Sequence, residues 1–225
     1  MAWLPLFWAA GAAIVGLAAM PAQMPANAAA NDRILAVLGR ISETMTNSAY
    51  KPVLRVDERR GRYEFDCSAM AGWVLTRSAP RARSTVGPAR PLARDFARTI
   101  AAADIVRPRK GWLRVPRMVD ARPGDVLAWR RPPWFPSRNT GHVAFVMAKP
   151  VAFGRGLLVR IADATSIGHG RDSRAAGQTG FGIGVLWITV DAATGAGTGY
   201  GWVGEESARA DYAIETPILI GRATR

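Results

Sequence analysis

One cysteine, Cys67, and two histidines, His142 and His169, stand in a chain of 225 residues. A lone thiol forms no intramolecular disulfide and cannot build a Cys-based structural zinc site. Most lone cysteines are small buried hydrophobes, so position must decide what Cys67 does. Cys67, Met70, Ala71 and Val74 recur at helical spacing behind Asp66, which predicts a helix capped by Asp66 with Cys67 in its first turn. Unpaired amides and the helix dipole favour a thiolate there. A thiol nucleophile needs a base, and an imidazole is the usual one. His142 opens an apolar run over 142–147, and the following run, 157–165, carries Asp163 on the face of Val159 and Ile161. A loop centred near residues 152–153 sets Asp163 directly opposite His142, where cross-strand Cβ atoms stand roughly 4.5–5.5 Å apart. A carboxylate ending an inward face needs a partner. A neighbouring imidazole, His142, is one such partner, and Cys67 is a thiol that could use it. His169, grouped with Asp172 and Arg174, is the alternative third member and a candidate substrate contact.

The elements that must position these groups change character along the chain. Ile34, Leu35, Leu38, Ile41 and Met45 recur at helical spacing after Asp32, and Leu92, Phe96 and Ile100 do so after Pro91. Lys51 to Arg62 reads as a basic, polar stretch and Arg77 to Arg90 as a loop. From Trp112 the period shortens. Arg122-Pro123-Gly124-Asp125 is a turn, and strands are expected over 126–129, 142–147, 157–165, 183–191 and 213–220. The glycine-rich run Thr194 to Gly201 reads as a hairpin connection. Helices followed by a mostly antiparallel sheet make an α+β pattern.

Four short motifs occur in order: Asp66-Cys67-Ser68, Pro123-Gly124-Asp125-Val126-Leu127, Gly141-His142-Val143-Ala144-Phe145-Val146 and Ile161-Ala162-Asp163-Ala164-Thr165. Together, over roughly residues 63 to 165, they resemble the NlpC/P60 and CHAP group of papain-like cysteine peptidases, which act on bacterial cell-wall peptidoglycan. The resemblance implies a papain-like fold with N-terminal helices packed on a mostly antiparallel sheet. It also implies Cys67 as nucleophile, His142 as general base, Asp163 as the orienting residue, and peptidoglycan or another peptide as substrate. Ala69 stands where the group usually has Gly, and Asp163 where NlpC/P60 members often have His. The segment from Ser166 to Gly184 is unusually rich in Gly and Arg. Tyr63, Asp66, Ser68 and Trp134 are candidate substrate contacts beside His169, Trp134 because glycan rings stack on indole faces.

Composition sets the remaining bounds. At 49% hydrophobic and 21% charged, the chain is neither disordered nor fibrous. No cofactor is implied, and no ligand set has metal-binding spacing. Residues 1 to 30 hold no charged side chain, and an apolar run from Trp3 to Met20 ends near Ala26-Asn27-Ala28-Ala29-Ala30. That is the pattern of a secretory signal peptide, with an uncleaved anchor over residues 3–20 as the alternative. Either leaves residues 31–225 as an exported catalytic domain, periplasmic or extracellular. The net charge is +13, and ten arginines with Lys110 crowd between Arg77 and Arg117. Such a face attracts anionic envelope polymers or lipid head groups. Nucleic acid is not expected, because no nucleic-acid-binding signature accompanies the charge. Two other readings stand at this point: a thiol acyltransferase or lipid-directed enzyme, and a non-catalytic basic wall-binding module.

Overall fold

A computed structural model describes residues 29–224; the signal-peptide or anchor reading falls almost wholly outside them. Helix α1, Ala30–Thr44, buries Ile34, Leu38 and Ile41 on one stripe, as their spacing predicts. Its first turn holds Asp32, which suits the helix dipole. Three short strands follow: β1 Asn47–Tyr50, β2 Leu54–Asp57 and β3 Arg62–Phe65. They form a small sheet in the order β1-β3-β2, with β1 parallel and β2 antiparallel to β3. The sequence reading missed this sheet, because its charged, Gly-punctuated segment lacks an apolar alternation.

Helix α2, Cys67–Ser78, begins where predicted and is buried on nearly every side. A single turn, α3 Pro80–Arg83, lies within the expected Arg77–Arg90 loop, and α4, Ala93–Ala101, buries Phe96 and Ile100. Then come β4 Trp112–Val115, β5 Val126–Arg130, β6 Gly141–Val146, β7 Val151–Phe153, β8 Gly156–Thr165, β9 Gly180–Val190, β10 Gly197–Gly201, the short helix α5 Glu205–Arg209 and β11 Ile214–Ala223.

The arrangement of these strands overturns the expected α+β, papain-like fold. Strand β10 pairs antiparallel with both β9 and β11. Six strands, in the order β9-β8-β6-β5-β11-β10, thereby close into an antiparallel barrel, with β4 added along β11 and β7 along β8. The closing strand is the glycine-rich run that reads as a connection. A Cβ on Gly197 would lie 2.8 Å from the Ile218 Cβ, and one on Gly201 2.3 Å from the Ser207 Cβ. The missing side chains let neighbouring segments approach, whereas strand propensity disfavours glycine.

Alternation along the strands separates two cores. Leu127, Trp129, Ala144, Val146, Ile161, Ile188, Tyr200 and Ile218 fill the barrel. Val126, Ala128, Val143, Phe145, Ala162 and Ala164 pack outward on Met70, Val74, Phe96 and Ile100 of the helices. The Pro123-Gly124-Asp125 turn pins the layers together. Buried Asp125 receives two hydrogen bonds from Arg222, at 2.9 and 2.8 Å, one from the Asn31 side chain and one from the Arg122 amide. No helix of the described residues is long and apolar enough to cross a membrane.

Candidate active site

The three predicted groups meet at one rim of the barrel. Cys67 is the first residue of α2. Asp66 caps that helix: its Oδ1 accepts from the Ala69 amide at 2.7 Å and from the Ser68 hydroxyl at 2.8 Å. Asp66 also pairs with Arg90 at 3.2 Å. With Ala69 capped and Met70 already bonded to the Asp66 carbonyl, the amides of Cys67 and Ser68 remain outside the helical ladder. They are the donors an oxyanion would use.

His142 enters from the second residue of β6. Its Nε2 lies 2.7 Å from Asp163 Oδ2, and the Cys67 sulfur is close enough to act on the ring electrostatically. With Nε2 engaged by Asp163, Nδ1 is the atom left for the sulfur. The pairing is diagonal. Strands β6 and β8 align Phe145 with Ala162 and Val146 with Ile161, two residues away from the expected register. The cause is β7, which forms a tight hairpin with β8 around Gly154-Arg155, pairing Phe153 with Gly156. The reversal therefore lies beyond residues 152–153. Because the shift is even, Asp163 keeps the same face of the strand, and diagonal neighbours remain within reach.

Asp163 is fully buried and holds more than one ring. His169 Nε2 also reaches Oδ2, at 2.8 Å, and Arg174 Nη2 reaches Oδ1 at 3.3 Å. His169 thus joins Asp163 instead of replacing it. Arg174 is held by Asp172 through Nε at 2.9 Å and Nη2 at 2.8 Å and by the Gly180 carbonyl at 2.8 Å, while Asp172 accepts from the His169 amide. This explains the unusual Gly/Arg-rich segment. A Cβ on Gly182, the partner of Asp163 across the sheet, would lie 2.5 Å from the Arg174 Nε, and one on Gly184 2.6 Å from the His169 Cβ. Only bare glycines leave room for loop 166–179 to fold back and deliver His169 and Arg174.

The electrostatics follow from this crowding. Burial opposes a charge on His142, but the Cys67 sulfur and the Asp163 carboxylate outweigh it and push its pKa up to about 10. Burial would raise Asp163, but hydrogen bonds from His142 and His169 hold it well below the usual carboxylate range. The site therefore favours a protonated His142 ring beside the ionised Asp163 carboxylate. His169 Nδ1 is buried and finds no hydrogen-bond partner. Its ring stacks on Trp202 at 5.1 Å and 12°, and His142 meets Trp202 edge-on at 5.2 Å and Trp129 at 5.0 Å. These indoles fix both imidazoles from the barrel side.

The side chains of Tyr63, Ser68 and Trp134 are engaged with other groups. Tyr63 is in the core, its ring against Phe65 and Trp73 and its hydroxyl 3.2 Å from the Thr44 hydroxyl. Ser68 is buried and committed to the cap. Trp134 is 66% exposed, stacked edge-on with Phe135 in the loop that Arg131 braces through the carbonyls of Pro132, Phe135 and Asn139. The indoles against the two imidazoles are Trp129 and Trp202. A second residue missed from sequence is Tyr50. It pairs with Phe65 in the parallel β1–β3 ladder, two residues ahead of Cys67. Burial and the charges of Cys67, Asp66 and Asp163 raise its pKa, so its hydroxyl stays protonated. Nothing in the sequence marks Tyr50 without the small sheet.

Cys67 and His142 are 5% and 6% exposed, so the pair is nearly buried. Among the described residues no group of three or more His, Cys, Asp or Glu is placed to hold a metal ion. No family model, curated protein or solved structure matches the chain.

Proposed function

We propose that this chain is a cysteine hydrolase that cleaves an amide bond, with cell-wall peptidoglycan peptides as its substrate class and an exported, periplasmic or extracellular domain as its setting. The observation that carries the reading is the His142–Asp163 bond at 2.7 Å, with the Cys67 sulfur acting on the same ring, inside a site walled by aromatic rings. The ordered motifs around Cys67, Asp125, His142 and Asp163, which resemble the NlpC/P60 and CHAP group, favour the substrate class. The uncharged apolar start of the chain favours export.

Chemistry supplies the steps. The thiol proton resides on His142, leaving a thiolate beside an imidazolium. Sulfur attacks the amide carbonyl carbon, and the carbonyl π pair moves to oxygen, which takes hydrogen bonds from the free amides at the start of α2. The C–N bond breaks as His142 gives its proton to the departing amine, leaving a thioester on Cys67. Neutral His142 then deprotonates a water that attacks the thioester, and carboxylate and thiol are released. Asp163 holds the ring with Nδ1 toward sulfur and stabilises its charge throughout. Tyr50, whose hydroxyl burial keeps protonated, is a further candidate donor toward the developing oxyanion.

The test is turnover of purified protein on muropeptides, read by product mass, with Cys67→Ala as the control. Amide hydrolysis that disappears in the variant is expected. Equal turnover by Cys67→Ala ends the proposal, and a product mass that shows acyl transfer to an acceptor other than water replaces hydrolase with acyltransferase.

A further inference from the structure

Away from the Cys67 site, Ile105 and Val106 stand out as adjacent large apolar residues that are both strongly exposed, at 49% and 77%. They form the tip of the loop between α4 and β4, in which every residue from 105 to 110 is exposed. The tip is built, not slack. The Asp104 carboxylate accepts from the Val106 amide at 2.7 Å and the Arg107 amide at 3.2 Å. Arg109 and Trp112 exchange backbone hydrogen bonds at 2.9 and 3.0 Å, and the Asp104 carbonyl accepts from the Arg114 amide. Trp112 roots this base in the core, its indole N–H donating to the Ala82 carbonyl at 2.9 Å.

Cations ring the tip. Arg107, Arg109 and Lys110 follow it in sequence, and none of them forms a salt bridge among the described residues. Beside it lies a cavity of about 560 Å³ lined by Arg98, Arg109, Lys110, Thr85, Thr99 and Asp104. Its one carboxylate, Asp104, stays ionised and is engaged by the Val106 and Arg107 amides, leaving the basic side chains in excess.

We propose that this loop docks the protein on an anionic phospholipid bilayer, with Ile105 and Val106 entering the acyl boundary while Arg109 and Lys110 take a lipid phosphate in the adjoining cavity. Charge alone would suit any polyanion. The apolar tip decides for a membrane: an aqueous polymer leaves two branched side chains in water, whereas the headgroup–acyl boundary removes them from it. Basic residues beside an anionic leaflet then add to the attraction. This surface is separate from the Cys67 relay and stands whether or not that relay is catalytic.

The test uses the full chain with phosphatidylcholine vesicles, pure or containing a quarter phosphatidylglycerol. Sedimentation should show preference for the anionic vesicles. Arg107→Gln with Lys110→Gln should weaken binding roughly fivefold per charge removed, and Ile105→Ser with Val106→Ser, which leaves the charge intact, by about tenfold or more. Insertion is read separately at the site: Val106→Cys in a Cys67→Ser background, labelled with an environment-sensitive dye, should shift its emission to the blue on anionic vesicles alone. Wild-type binding by the Ile105→Ser/Val106→Ser protein, or a label that stays in water on bound vesicles, overturns the proposal. Retained salt-sensitive binding to soluble teichoic-type polymer in those cases would reassign the face to a wall polyanion.

Discussion

Replacing Asp163 by asparagine keeps the shape of the side chain and removes its charge. The fully buried carboxylate accepts from His142 at 2.7 Å, His169 at 2.8 Å and Arg174 at 3.3 Å. Arg174 keeps both contacts to Asp172, so its charge is not stranded. The loss therefore concentrates on the two rings. Breaking a buried charge pair costs about 3–5 kcal/mol, and one pKa unit is about 1.4 kcal/mol. If about 3 kcal/mol of that cost falls on the charged ring, His142 drops by roughly two units, from its present value of about 10. The chain has only two histidines, so nitrogen-edited imidazole NMR resolves the rings, and His169→Gln assigns them. Wild-type His142 should remain doubly protonated through neutral pH, and in Asp163→Asn it should lose its proton nearer pH 8. Turnover should fall by a factor on the order of 10³ to 10⁴, and the alkaline limb of its pH profile should move down with the ring. A folded Asp163→Asn protein with unchanged His142 titration and unchanged turnover would refute the relay.

Stability should show the same linkage. His142, raised in the fold, contributes stability that is complete below its unfolded value near 6.5 and is lost as pH rises toward about 10. Asp163, lowered in the fold, contributes stability present above 3.8 and lost as pH falls through its folded value. Thermal melts should therefore be highest between about pH 4 and 6.5 and decline on the alkaline side; a maximum above pH 8 contradicts this. Asp125→Ala strands the Arg222 guanidinium and should cost about 3–5 kcal/mol in urea unfolding; a loss under 1 kcal/mol means that the turn is not the pin described here. Gly182→Val places a methyl-bearing carbon where Arg174 lies and should depress turnover more than melting temperature, since Arg174 is displaced from Asp163 while the barrel core is untouched. An equal effect on both would show that Gly182 serves the strand alone.

Local signals in the sequence proved legible where one physical cause dominates. The Asp66 cap and the apolar face behind it locate Cys67 at the start of a helix, and the alternating runs locate β5, β6, β8, β9 and β11 to within a few residues. The convergence of Cys67, His142 and Asp163 is foreseen for a reason that survives error. A register slip of two, produced by the Gly154-Arg155 turn, preserves the face of Asp163. What stays hidden depends on non-local packing. The closed barrel hinges on β10, whose glycines carry no strand signal yet are needed for close approach. Tyr50 and Trp202 enter the site through pairings between segments distant in sequence. His169 and Arg174 reach Asp163 only because Gly182 and Gly184 leave space, a relation that spacing along the chain cannot express.

Strand β11 carries a consequence for how the molecule is made. It borders β5 along one side and both β10 and β4 along the other, although it comes last among the described strands. The sheet beginning at β5 therefore waits, with one margin open, until residues 214–223 arrive, and its ladders join segments about a hundred residues apart. Such long-range pairing is slow, and an unfinished barrel edge is prone to pair with other chains. The barrel cannot close until the segment that forms β11 is available. Loss of part of β11 is therefore far more damaging than its ten residues would suggest.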